Sequence, residues 1–80
     1  MSLWQQNEGG ETMYGSLRDV RYMNGDLTQK EMADKIGISI GAYQLIESGK
    51  RVGSTKTWMK IQELFKLSDQ EVWQLQKPKN

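Results

Sequence analysis

The run Leu27-Thr28-Gln29-Lys30-Glu31-Met32-Ala33-Asp34-Lys35-Ile36-Gly37-Ile38-Ser39 decides how this chain folds. Thr28 reads as a helix N-cap, and Glu31, three residues later, completes a capping box in which each side chain accepts a hydrogen bond from the other residue's backbone N–H. Met32, Ala33 and Ile36 recur at the spacing of one helical side. Gly37 stops that helix, because without a Cβ its backbone enters the left-handed region freely. Ser39 caps the next helix, which buries Tyr43 and Ile46 and ends at Gly49. Only Gly37-Ile38-Ser39 joins the two. A corner that short holds two helices at a steep mutual angle, the arrangement of a helix-turn-helix.

Outward from this corner the signals stay helical. Ser16 caps a helix with Leu17, Val20 and Met23 as its apolar side, and Asn24-Gly25-Asp26 ends it as a turn. Downstream, Ser54 or Thr55 opens a fourth helix with Trp58, Ile61, Leu64 and Phe65 turned inward. Ser68 with Glu71 forms another capping box, and Val72, Trp73 and either Leu75 or Leu67 complete the core. Pro78 lies beyond the last helix. No stretch alternates apolar and polar residues as a strand would. The expected fold is all-α, a compact bundle of about five short helices whose contacts are local in sequence. Residues 1–15 read as a flexible arm, 16–76 as the folded domain and 77–80 as a C-terminal tail. Gly9-Gly10 would break any helix in the arm, and Met1-Ser2-Leu3 reads as a candidate cloning remnant. Trp4 and Tyr14 are out of place in a solvated arm. Packing of one or both on the core edge is the preferred expectation, and an arm that reaches a partner is the alternative.

Composition removes several classes of function. Eighty residues make one domain at most. With no Cys and no His, a disulfide framework, a thiolate or imidazole metal site and a His-based triad are all excluded. Asp19, Asp34 and Glu63 form no paired-carboxylate pattern, so neither an enzyme nor a cofactor is expected. No apolar run is long enough to span a membrane, and no h-region follows Met1, so the expected location is cytoplasmic. Lys and Arg number 11 against 10 acids, a net charge of +1. Residues 1–15 hold Glu8 and Glu11 and no base, so the positive excess lies downstream. This is no polybasic tail; any grip on a polyanion must come from a few placed bases and the fold.

With Tyr43 and the run Ile46-Glu47-Ser48-Gly49-Lys50-Arg51 added, the central stretch resembles the phage repressor/Cro-type (XRE-like) helix-turn-helix family over residues 17 to about 76. The resemblance implies a lambda-repressor-like DNA-binding domain. One helix braces across the DNA backbone while the next enters the major groove, where each base pair shows its own donor and acceptor pattern. It places Thr28 and Gln29 at the start of helix two, with Gln29 on a phosphate and supporting the reading helix. It places Ala33 at the close helix crossing, and Ile36, Ile38, Tyr43 and Ile46 in the core. Glu47 pairs with an Arg on helix one, Arg21 first and Arg18 second, as a structural pair. Lys50 and Arg51 offer side chains and backbone N–H groups to phosphates. The implied DNA-binding set is Thr28, Gln29, Ser39, Ile40, Gly41, Gln44, Leu45, Ser48, Lys50 and Arg51.

The chain departs from the family pattern where bases would be read. Ile40, Gly41 and Ala42 stand where polar readers are usual, and only Gln44 can make a bidentate contact, most naturally with adenine. The Asn24-Gly25-Asp26 turn is one residue longer than usual, and Gly53 stands where a Pro is common. The expected function is a sequence-specific, repressor-like transcriptional regulator that binds double-stranded DNA as a homodimer, with Trp73 as a dimer contact. Family habit points to a phage or mobile element. The alternative is a protein-interaction adaptor, such as an antitoxin or antirepressor, using an apolar patch of Ile40 and Leu45, with Trp4 as a further candidate, to hold a protein partner.

Overall fold

In a computed structural model, which describes residues 14–76, five helices follow one another: α1 (Leu17–Met23), α2 (Gln29–Ile36), α3 (Ile40–Glu47), α4 (Thr55–Phe65) and α5 (Asp69–Gln76). There is no strand among the described residues. The expectations for Trp4, for Met1-Ser2-Leu3, for the arm up to residue 13 and for the tail from residue 77 lie outside them.

Every helix starts at the cap read from the sequence, because a short hydroxyl side chain can satisfy an N–H that the first turn leaves without a partner. Ser16 Oγ accepts from Asp19 N at 3.4 Å, Ser39 Oγ from Ala42 N at 3.1 Å and Ser54 Oγ from Thr57 N at 3.1 Å. Of the two candidates for opening α4, Ser54 is therefore the cap. Thr28 with Glu31 and Ser68 with Glu71 form the two reciprocal boxes. Gly37 closes α2 at φ +91°, and the N–H groups of Gly37 and Ile38 both donate to Ala33 O, at 2.8 and 3.0 Å.

The core gathers Leu17, Val20, Met32, Ala33, Ile36, Tyr43, Ile46, Trp58, Ile61 and Leu67. Ile38, expected inside, is half-buried against it, as are Leu64 and Phe65. Tyr14 also packs on its edge, and its hydroxyl accepts from Asn24 Nδ2 at 3.4 Å. Two core assignments are overturned. Met23 is 58% exposed, because the inward side of α1 runs through Leu17, Val20 and Arg21 instead. Trp73 is 55% exposed; α5 fully buries no residue, and lays Val72 and Leu75 on the core while Trp73 projects between them. Leu67, in the α4–α5 connection, takes the remaining buried place, with Leu75 only half-buried. No helix among the described residues is long and apolar enough to cross a membrane.

Candidate nucleic-acid interface

The position of α3 is set at its C-terminal end by a buried charge pair. Arg21 Nε and one terminal nitrogen donate to the two carboxylate oxygens of Glu47 at 2.9 and 3.0 Å, and the other terminal nitrogen donates to Leu27 O at 2.9 Å. Both side chains are over nine-tenths buried. Arg18 also approaches Glu47, at 3.7 Å, but from solvent. The planar guanidinium therefore ties three elements together: α1, the start of the α2 segment and the end of α3. Burial pushes the Glu47 carboxyl up, yet the hydrogen bonds and charge of Arg21 prevail and hold it below the usual carboxylate range. Glu47 in turn raises the Arg21 pKa. The Tyr43 hydroxyl lies beside the pair, wholly buried and without a hydrogen bond of standard geometry, and burial raises its pKa.

This pairing also shapes the charge that the corner shows to solvent. Glu47 is the one acid between Ser39 and Arg51, and it faces inward against a cation. Lys50 and Arg51 are exposed. The outer face of α3 and the loop after it thus carry positive charge with no exposed acid.

The outer face itself is open. Ile40 is 43% exposed, Gly41 and Gln44 are exposed, and Ala42 and Leu45 are half-buried. Gln44 Nε2 donates to Oε1 of half-buried Gln29 at 3.0 Å, so a residue at the start of α2 braces a side chain in the middle of α3. A Cβ added at Gly41 would meet nothing within 4 Å. Packing therefore does not demand glycine there, and the backbone of α3 lies bare on this side.

Other members of the expected set serve the fold first. The Thr28 and Ser39 oxygens accept cap hydrogen bonds, and each hydroxyl keeps its own proton for an outside acceptor. Ser48 Oγ donates to Leu45 O at 3.2 Å. The backbone N–H groups of Lys50 and Arg51 donate to that same carbonyl, at 3.0 and 3.1 Å. The loop spends these two N–H groups on ending α3, while the side chains of Lys50 and Arg51 stay exposed.

Trp58 and Gly53 hold this loop, which the sequence reading did not foresee. The Trp58 indole N–H donates to Val52 O at 2.6 Å. Gly53 sits at φ +94°, where a Cβ would lie 3.0 Å from Ile46 Cδ1 and 3.2 Å from the indole nitrogen. Both its handedness and its crowding explain why Gly stands there. The available signal was that a buried indole N–H must find an acceptor nearby.

A family model described as helix-turn-helix matches residues 17–72. No curated protein and no solved structure matches the chain.

Proposed function

The chain belongs to the XRE-like helix-turn-helix family of DNA-binding regulators, and from that membership we propose that it is a sequence-specific, repressor-like transcriptional regulator that lays α3 in the major groove. The observation that carries this reading is the open outer face of α3, with Gln44 held ready by Gln29 and the sole acid of the stretch turned inward. Gln44 reads a base, most naturally adenine. Ile40 and Leu45 touch thymine methyl groups, and bare Gly41 lets the helix backbone come close. Lys50 and Arg51 grip phosphates, with the Thr28 and Ser39 hydroxyls donating beside them. The protein works as a homodimer, paired through the α5 end near Trp73, so that two copies of α3 enter successive major grooves about 34 Å apart.

Selection of bound duplexes from a random pool tests this directly, because a palindromic site with half-sites one helical turn apart is the expected product. With about 4 to 6 phosphates neutralised per dimer, log K should fall against log salt with a slope of about −4 to −5. Failure to enrich any duplex would sink the proposal. A protein-binding adaptor is favoured over it by one feature, the exposure of Ile40 on the reading face. Gln44→Ala with Lys50→Ala separates the two, since only the DNA-binding reading expects the double variant to lose duplex retention.

A further inference from the structure

We propose that Trp58 is a positioning residue for the phosphate grip: by donating to Val52 O, its indole N–H fixes the stretch of backbone that carries Lys50 and Arg51. The role given to those two bases rests on the DNA-binding reading; the hold on the loop does not.

The loop between α3 and α4 runs over the surface, where a connecting segment is ordinarily the most mobile part of a domain. This one is tied from both sides. From the α3 side, the N–H of Gly49 donates to Ile46 O at 3.1 Å, and those of Lys50 and Arg51 donate to Leu45 O at 3.0 and 3.1 Å. From the α4 side, the Trp58 N–H reaches back six residues to Val52 O at 2.6 Å. The ring is itself a firm anchor, since it is 3% exposed and belongs to the core. Arg51, Val52 and Trp58 line one small hollow of about 50 Å³, so the ring lies directly beneath the loop. Gly53 then turns the chain into the Ser54 cap at φ +94°, where a Cβ would crowd the indole nitrogen.

The chemistry of the ring points the same way. A Phe at this position would supply an apolar ring to the core without needing an acceptor. A buried indole adds an N–H that must find one, and here the acceptor is a loop carbonyl next to Arg51. The polar end of Trp58 therefore serves the loop, and the apolar body serves the core. Lys50 and Arg51 lie between the two ties with their side chains exposed. Bases on a backbone already fixed meet phosphate without the cost of ordering that backbone at the moment of contact.

Backbone amide NMR relaxation of the free protein tests the hold. Lys50, Arg51 and Val52 should show the order parameters of a rigid backbone, about 0.85. In Trp58→Phe, which keeps a ring in the core but removes the donor, they should fall toward about 0.6 while those of α2 and α3 stay high. Values below about 0.6 in the unaltered chain, or unchanged values in the variant, would overturn the proposal. Gly53→Ala disturbs the same hold from the loop side and should give the same fall, which keeps the test open should Trp58→Phe not fold.

Duplex titrations test the grip. Trp58→Phe should bind the selected duplex about tenfold more weakly with its base preference unchanged. Arg51→Ala should weaken binding at least about threefold less in the Trp58→Phe background than on its own. Losses that multiply to within about twofold, as for independent sites, would leave Trp58 a core residue only and overturn its positioning role. So would a changed base preference, because the indole would then be acting through α3. If the unaltered chain binds no duplex, the DNA-binding reading fails while the relaxation data still decide the hold on the loop.

Discussion

Two polar pairs hold α3, and they differ in nearly every physical respect. The Arg21–Glu47 pair at its C-terminal end is charged, bidentate and buried. The Gln29–Gln44 pair in its middle is neutral, joined by one hydrogen bond and exposed. Water competes for the second and hardly reaches the first. The buried pair therefore decides where the helix sits, while the exposed pair only orients a side chain on the outer face of α3. One end of α3 is built for stability and its outer surface is left available, which is how a small domain can keep an open face without surrendering its core.

The most severe way to break this contrast is Arg21→Ala. It leaves Glu47 buried with only the solvent-side Arg18, at 3.7 Å, as a nearby cation, and a loss of about 3–5 kcal/mol is expected, measured as the fall in urea unfolding free energy. Replacing both partners together by Met and Leu should cost much less than either single change, since no lone charge remains. A loss below about 1 kcal/mol for Arg21→Ala would mean that the pair does not fix α3.

Acid should expose the same pair. The folded-state pKa of Glu47 lies below its unfolded value of 4.5. Its contribution is therefore fully present above pH 4.5 and is lost as pH falls through the folded pKa. Urea midpoints measured from pH 7 down to pH 3 should show this loss. Glu47→Gln, already weakened at pH 7, should lose less over the same interval.

Gln44→Ala sharpens the contrast from the other side. Stability should change by less than about 0.5 kcal/mol, as for ordinary surface positions, while affinity for the selected duplex drops by about 1–3 kcal/mol. Titration of both variants on one duplex, alongside their urea curves, separates the two quantities. A stability loss comparable to that of Arg21→Ala would abolish the distinction between the pairs.

The smallest effect is expected at Gly41→Ala. The site has open space and sits inside a helix, so the new methyl group should add about 1 kcal/mol of stability. If the bare backbone serves close approach to DNA, the same variant should bind its duplex more weakly, and a fluorescence anisotropy titration would show it.

Much of the fold was legible because it rests on local chemistry. A hydroxyl that accepts from an N–H three residues on needs nothing from the rest of the chain, and Ser16, Thr28, Ser39, Ser54 and Ser68 all cap as read. Met23 and Trp73 were misread for the opposite reason. Apolar periodicity shows which residues share a side of a helix but not how much of that side is covered. On α1 the inward place that Met23 was expected to take went to a charged residue, Arg21, because its carboxylate lay on another helix. The candidate surface was legible only in the residue types of the corner, and not in the way Leu45 O captures the N–H groups of Lys50 and Arg51.

Taken alone, the sequence determined five helix starts, the glycine corner between α2 and α3, and membership of a family that reads DNA. Those features depend on backbone sterics and on hydrogen bonds spanning three or four residues. Only the tertiary structure decided that Arg21 rather than Arg18 is the buried partner of Glu47, that Gln29 braces Gln44, and that Met23 and Trp73 are more than half exposed on the chain's own surface. Each of these joins or separates residues far apart in the chain, and burial and partnership over such distances are set by how the helices pack, a quantity no local pattern contains.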